Sequence, residues 1–397
     1  MQSLQKELMI VENRLTVFLS AGEASGDLLG AALAQELISR VPGIVLQGIG
    51  GAKMRAAGVD IIYDINDLAL FGAVEVLAKL PLLLRIRKSL VQLFSKKPPA
   101  VFCGIDYPGL NVYLAGIAKK HKIKTLCYKA PSIWSWGEWR VKRVKKNVDF
   151  VAAIFPFEAD AYLKHGVPAE YVGCPIVDNV NSYKIEADLH EKFALAKNVK
   201  IILLLPGSRR QEINNLLPVL VQAAELICER EKVQFVLPIA STICHSAVDK
   251  IIAKNKVNAK ITVVPGDLAY SFMAIAHSGI AASGTVTLEA ALLDLPLVIV
   301  YRMNAISYML AKRLAKVDFI GLPNLVAKKN ILPELIQGEA SPQKIAQEIS
   351  NWLVDASKYI HTKTELAAVR EKLGTGGAVQ RVANIIIALA DNKGGRQ

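Results

Sequence analysis

Four short strings place acidic, basic and small residues where a protein handles protons and anions. In FCGIDYPGLN (102–111), Asp106 follows an apolar run by one residue. Open α/β sheets bind ligands beyond the carboxyl ends of their strands, and a carboxylate there can act as general base. Asp106 could equally start the turn before Pro108 and cap the helix that follows. In LPGSRR (205–210), Gly207 and Ser208 form a turn with Arg209 beside a helix start. A glycine-bearing turn with a guanidinium suits a diphosphate. In ASGTVTLEAALLDLP (282–296), Ser283, Gly284 and Thr285 end an apolar strand and open a helix. N–H groups and the dipole at such a start would stabilise a departing nucleoside diphosphate. Glu289, one turn on, could accept from ribose hydroxyls or merely pair with the helix dipole. The fourth string, AGEASGD (21–27), puts Gly22 and Gly26 between a strand and a helix. That allows close backbone approach of a ligand at an anion-favouring terminus, or a plain turn capped by Ser25 or Asp27. It lacks both G-x-G-x-x-G and G-K-[ST], so neither a dinucleotide fingerprint nor a P-loop is present. GIGG (48–51) reads as another turn.

Two mixed segments are less specific. APSIWSWGEWRVKRVKK (130–146) holds Trp134, Trp136 and Trp139 ahead of Arg140, Lys142, Arg143, Lys145 and Lys146. Such a run could stack bases, sit at a lipid headgroup layer, or be a surface helix with a solvated basic face. Residues 68–97 are more apolar than one buried stripe requires and carry Arg85, Arg87, Lys88, Lys96 and Lys97. They suit either an interfacial membrane contact or a buried core helix. Of the net charge of +13, residues 51–150 account for +11. One region therefore presents positive charge to an anionic partner: nucleic acid, a phosphorylated substrate or an acidic membrane face.

The elements that must hold these strings follow a repeated order of apolar strand, Gly/Ser turn and amphipathic helix. Leu15 to Ser20, 98–105, Lys124 to Tyr128 and Phe150 to Ile154 read as strands of a first half. Ile201 to Leu205, Gln234 to Leu237, Lys260 to Val264, Gly279 to Ala282 and Leu297 to Tyr301 read as strands of a second. The alternation predicts parallel sheets covered by helices on both faces. The Gly/Pro-rich stretch 166–179 marks the boundary. Expected domains are 1–179 and 180–359, with C-terminal helices over about 360–397 that could return to the first domain. GTGG (374–377) breaks that helical stretch.

Composition excludes several classes. At 52% hydrophobic and 21% charged residues, 397 residues can bury large cores and are not disordered. No run approaches the ~18 consecutive apolar residues of a membrane span, and the charged N-terminus is unlike a signal peptide. The expected location is therefore cytoplasmic. Five cysteines form no C-x-x-C pair, and with four of them in apolar or strand-like contexts they read as small buried hydrophobes rather than disulfides or zinc ligands; six histidines show no metal-ligand spacing.

Taken together the strings resemble the lipid-A-disaccharide synthase family, glycosyltransferase family 19, from about Leu15 to Leu389. SAGEASGDLLGA (20–31), GID-P-N around Asp106, PSIWSW (131–136), FPFE (155–158), LPGSR (205–209), ASGTVTLE (282–289), YRM (301–303) and GLPNL (321–325) carry the resemblance. Cys174 stands in VGCPIVD (172–178) where many relatives would have His, and no role is given to it. The resemblance implies an α/β fold of GT-B type, with two Rossmann-like domains facing a central cleft. It implies an inverting transfer from UDP-2,3-diacylglucosamine to 2,3-diacylglucosamine 1-phosphate (lipid X), giving a β(1→6) disaccharide and UDP. Asp106 would be the base. Gly207, Ser208, Arg209, Ser283, Gly284, Thr285 and Glu289 would hold the donor, with Arg302, Asn324 and Gln337 in the same cleft. Gly22, Glu23, Ser25, Gly26 and Asn111 would line the acceptor side, and Leu82, Leu83, Leu84, Arg85, Arg87 and Lys88 would face the membrane. Without a D-x-D motif, no metal and no cofactor are expected. The implied partners are the two lipid substrates and the anionic cytoplasmic face of the inner membrane, with a homodimer left open. Three other readings compete. A nucleic-acid-binding protein would not need the PGSR and ASGT-E strings. A glycosyltransferase acting on a lipid-linked peptidoglycan precursor lacks SAGEASGD and PSIWSW. A nonenzymatic membrane scaffold requires inert cleft residues.

Overall fold

A computed structural model describes residues 14–68, 80–133, 139–255, 257–303, 308–309 and 318–391. The chain forms two compact units, Met1–Pro175 with Gly376–Gln397 and Ile176–Thr375. The first contains β1 (Thr16–Ala21), β2 (Val45–Gly50), β3 (Asp60–Asp64), β4 (Val101–Ile105), β5 (Lys124–Tyr128), β6 (Phe150–Ala153) and β7 (Ala169–Tyr171). They form one parallel sheet in the order β3-β2-β1-β4-β5-β6-β7. The second contains β8 (Lys200–Leu205), β9 (Val233–Ile239), β10 (Ile261–Pro265), β11 (Ser278–Ala282), β12 (Leu297–Tyr301) and β13 (Glu334–Ile336). Their order is β10-β9-β8-β11-β12-β13, again all parallel. Each sheet thus grows outward from its first strand on one side and resumes from the fourth on the other. The winding reverses between β1 and β4 and between β8 and β11, and such reversal points open a crevice for ligands. Both units are Rossmann-like, as the GT-B expectation required.

Strands buried on both faces must be apolar throughout, which is why they are visible as runs. Every residue of β4 and β11 is buried. In the first unit Phe18 stacks on Phe102 at 5.7 Å and meets the edge of Phe94 at 5.4 Å. Phe94 comes from the helix Leu80–Lys96, whose Ile86 and Leu90 are also buried. GIGG is not the expected turn. Gly48 and Gly50 end β2, and a Cβ on Gly48 would lie 1.8 Å from the Leu19 carbonyl oxygen of β1. The glycine is there to let two strands meet. Edge strands β3, β7 and β13 are short or mixed in polarity and left no apolar run to find.

Neither Ser25 nor Asp27 caps the helix Ala24–Arg40. Asp27 is buried and reaches across to the next helix, Ala52–Ala56, accepting from the backbone N–H of Gly51 at 2.6 Å, Lys53 at 3.1 Å and Met54 at 3.1 Å.

The C-terminal segment Ala356–Asp391 is apolar enough over its length to pass as a membrane span. It is divided instead at Gly374, Gly376 and Gly377, all at positive φ. Ala356–Leu373 belongs to the second unit. Ala378–Asp391 belongs to the first, where it packs on Ala24–Arg40 and Arg381 Nε donates to the Val172 carbonyl at 2.6 Å. Its 14 residues span about 21 Å, short of a hydrocarbon core of about 30 Å.

One half-buried group makes stability depend on pH. His277 stacks on Tyr359 at 4.3 Å, and its Nδ1 is buried without a partner among the described residues. Burial, reinforced by Lys200 and Lys363, pushes its pKa down to about 4. An unfolded histidine titrates near 6.5, so between pH 6.5 and 4 the unfolded chain binds a proton that the folded one refuses. Stability should therefore fall as pH drops through that window, by on the order of 2 kcal/mol after allowance for partial exposure. Urea unfolding of wild type and His277→Phe at pH 7.5, 5.5 and 4.5 checks this: the variant should lose less stability on acidification, and parallel losses would contradict it.

Candidate functional site

At the reversal point of the first sheet, β4 ends at Ile105 and the chain turns sharply. Asp106 and Tyr107 both adopt left-handed backbone, at φ 53° and 43°, a region disfavoured for residues with a Cβ. Asn111, in the first turns of the helix Pro108–Lys120, holds the bend. Its buried amide nitrogen faces the carbonyls of Ser20 at 3.0 Å, Ile105 at 3.1 Å and Asp106 at 2.7 Å, and its oxygen accepts from Ser20 Oγ at 2.7 Å. One side chain thus ties the end of β1 to the end of β4.

The Asp106 carboxylate is not the helix cap. Its Oδ1 accepts the Tyr107 N–H at 2.9 Å, and its Oδ2 accepts from Ser25 Oγ at 2.8 Å and Lys129 Nζ at 2.5 Å. A carboxylate offers about four lone-pair sites, so one stays open to a donor such as a substrate hydroxyl. Gly22 has a structural cause: its Cβ would lie 2.3 Å from the Tyr107 ring, which covers the turn. Gly26 lies against the Ile105 carbonyl, and a Cβ there would approach it to 3.1 Å. Glu23 is the exposed N-cap residue of the following helix, without a side-chain cap bond. Gly22, Glu23, Ser25, Gly26, Asp106 and Asn111 therefore share one strand-end cluster. Lys129, just past β5, was missed from sequence; only its place beyond a strand end signalled it.

In the second unit a pocket of 490 Å³ lies at the ends of β8, β9, β10 and β11, within the size range of small-molecule sites. Gly207, Ser208, Arg209, Ser283, Gly284, Thr285 and Glu289 all line it. Gly207 needs its φ of 111°, and a Cβ would sit 2.3 Å from Glu212 Oε2. Glu212 folds back over the loop, accepting the N–H of Ser208 at 3.1 Å and Arg209 at 3.2 Å and meeting Arg209 Nη1 at 3.4 Å. Arg209, as N-cap of the helix Arg210–Cys228, leaves its side chain 83% exposed over the pocket mouth. Opposite, the helix Thr285–Leu292 starts at Gly284, whose carbonyl takes the Thr287 N–H at 3.2 Å, while the N–H groups of Thr285 and Val286 precede the first bond of the helix. Ser283 fixes that start by donating to the Ile320 carbonyl at 3.0 Å. Glu289 is half-buried; burial raises its pKa above the usual carboxyl range while a hydrogen bond from Tyr270 opposes the rise. Glu212 and Tyr270 were not foreseen. The Arg209-to-Glu212 spacing is that of a capping box with an unusual N-cap, whereas nothing near Tyr270 in sequence points to Glu289.

Three expected donor residues do not line this pocket. Asn324 is fully buried. Its amide donates to the Leu332 carbonyl at 2.8 Å and Glu334 Oε1 at 2.7 Å, and accepts the N–H of Ile331 and Leu332 at 3.0 and 2.9 Å. Gln337 clamps the Met303 backbone with bonds of 2.8 and 3.0 Å. Arg302 Nη2 donates to the Ala340 carbonyl at 2.6 Å. All three brace the ends of β12 and β13.

On the helix Leu80–Lys96, Leu82 turns to the core and Leu83 is half-buried, while Leu84, Arg85, Arg87, Lys88 and Val91 are exposed. The outward face is thus narrower and more basic than the sequence implied. Residues 69–79 of the apolar patch, and Trp134 and Trp136, lie outside the described residues, as does the side chain of Trp139.

The family model described as lipid-A-disaccharide synthetase matches residues 17–384. The lipid-A-disaccharide synthase of Geobacter sulfurreducens is 40% identical over 374 residues, covering 94% of this chain and 97% of its own. That of Coxiella burnetii is 41% identical over 372 residues, covering 94% and 97%. Among solved structures, a UDP-GlcNAc 2-epimerase from Neisseria meningitidis bound to UDP-GlcNAc superposes with a TM-score of 0.64 at 16% identity, covering 94% of this chain and all of that one. MurG of Acinetobacter baumannii gives 0.58 at 15%, covering 94% and 99%. At these identities the structures share the fold.

Proposed function

The chain belongs to the lipid-A-disaccharide synthase family of glycosyltransferases in lipid A biosynthesis, and we propose that it joins UDP-2,3-diacylglucosamine to 2,3-diacylglucosamine 1-phosphate. The observation that carries this reading is the convergence of Gly207–Arg209, Ser283–Thr285 and Glu289 on one pocket at the second sheet's reversal point. A neighbour of the same fold is described as bound to UDP-GlcNAc, which supports a nucleotide sugar there.

In this reading Arg209 and the N–H groups at the Thr285–Leu292 helix start take the diphosphate, and Glu289 takes the ribose hydroxyls. Asp106 accepts the proton of the acceptor 6-hydroxyl as that oxygen attacks the donor's anomeric carbon. The carbon–oxygen bond to UDP breaks on the opposite face, so configuration inverts to give the β(1→6) link. The negative charge that grows on UDP meets a guanidinium and a positive helix end already in place. Lys129 and Ser25 keep the Asp106 carboxylate in a fixed orientation. Gln337, Arg302 and Asn324 act by holding the backbone beside the pocket. The outward Leu84, Arg85, Arg87, Lys88 and Val91 would rest on an anionic membrane, placing the enzyme peripherally on the cytoplasmic face of the inner membrane, where its acylated substrates reside.

Mixing the two lipid substrates with the protein should release UDP, and failure to do so would overturn the reading. Asp106→Asn should lower kcat by about 10²-fold or more with UDP affinity unchanged by calorimetry; joint loss would make Asp106 structural. Arg209→Ala should weaken UDP about tenfold, a loss of about 1.4 kcal/mol, and an unaltered Kd would remove it from the diphosphate site. Reversing charge at Arg85, Arg87 and Lys88 should reduce sedimentation with phosphatidylglycerol vesicles and spare binding of UDP. Equal partition of the variant would detach this helix from the membrane.

A further inference from the structure

Glu289 is the one charged residue of the helix Thr285–Leu292, where Thr287, Leu288, Ala290, Ala291 and Leu292 are all buried. From that half-buried position it lines the second unit's pocket. Withdrawing a carboxylate from water is costly unless it is hydrogen-bonded, and here the Tyr270 hydroxyl donates to it. Tyr270 belongs to a different element, the short helix Ala269–Ile275, whose Ala269 lines the same pocket and whose Phe272 and Met273 are buried. Its ring is held in turn by Tyr183, which meets it edge to face at 5.1 Å. The Tyr183 hydroxyl donates to the Asp267 carbonyl at 2.9 Å and pairs with the buried Ser271 Oγ at 3.0 Å. Ser271 also accepts the Glu186 N–H at 2.9 Å. A continuous set of contacts therefore runs from Glu186 through Ser271, Tyr183 and Tyr270 to Glu289.

We infer that Tyr270 is a positioning residue: its hydroxyl occupies one lone pair of the Glu289 carboxylate and turns the others toward the 2′- and 3′-hydroxyls of the nucleotide's ribose. A carboxylate offers about four lone-pair sites, so one bond to Tyr270 leaves enough for both hydroxyls. A donor to the carboxylate also favours its ionised form, which accepts and does not donate. Without the Tyr270 hydrogen, Glu289 would rotate toward another donor or take up a proton, and either change spoils the match to two hydroxyl donors. The inference rests on the ribose role proposed for Glu289 and adds the group that sets its orientation.

Calorimetry with UDP and 2′,3′-dideoxy-UDP, on wild type and Tyr270→Phe, tests this, since the retained ring keeps its contact with Tyr183. Wild type should bind UDP at least about tenfold more tightly than the dideoxy nucleotide, because hydrogen bonds to a charged acceptor are lost with the hydroxyls. Tyr270→Phe should shrink that preference to about threefold or less, with the dideoxy Kd unmoved. An unchanged preference in the variant, whether or not both nucleotides weaken together, makes Tyr270 a packing residue and overturns the inference while leaving Glu289 on the ribose. No preference in wild type removes the ribose role of Glu289 and the inference with it. In a Glu289→Gln background, adding Tyr270→Phe should leave the preference where Glu289→Gln put it, because both changes act through one carboxylate. A further fall would mean that Tyr270 touches the ribose directly, contrary to the inference.

Discussion

The first unit depends on one amide. Asn111 spends its whole side chain on Ser20, Ile105 and Asp106, joining the ends of two strands that reach the reversal point from opposite sides of the sheet. Two successive left-handed residues cost on the order of 1–3 kcal/mol each and persist only where their surroundings over-determine them. That bend aims the Asp106 carboxylate away from the helix it precedes and toward Ser25 and Lys129. Gly22 belongs to the same arrangement, because only a residue without a Cβ leaves room for the Tyr107 ring.

The second unit solves a comparable problem with charge. A turn rich in free N–H groups attracts anions, and here Glu212 of the same chain accepts from Ser208 and Arg209. It also draws the Arg209 guanidinium toward the loop, at 3.4 Å. Because Arg209 remains mostly exposed, that contact is weak and holds the side chain near the pocket without fixing it. A phosphate, with more charge and more acceptor oxygens than a carboxylate, competes well for such a group.

Much of the fold was legible because parallel strands covered on both faces leave uninterrupted apolar runs. Lys124–Tyr128 and Leu297–Tyr301 have the same limits in sequence and structure. At the edge strands β3, β7 and β13, and where glycine replaces bulk for close packing as in β2, the run disappears and so did the reading, whereas the apolar edge strand β10 remained visible. The donor strings were legible for a related reason: turns that follow buried strands must lie at strand ends. Pairings between distant segments left no such trace. Lys129 meets Asp106 and Tyr270 meets Glu289 only after the sheets have formed. Asn324, Gln337 and Arg302 show the converse, since polar residues close to a site in sequence can be consumed by backbone.

The route of the chain bears on how it is made. The first unit is left at Pro175 and rejoined only at Gly376, so its closing helix, Ala378–Asp391, leaves a ribosome only after every strand of the second unit. Until then the face of Ala24–Arg40 that this helix covers is uncapped, while the intervening unit already has all of its strands. Closing a loop of that size costs little more than closing one half as long, about 0.6 kcal/mol per doubling. The delay, rather than the entropy, is the burden: a nascent chain stalled or truncated before residue 378 would carry a finished second unit and an open first one.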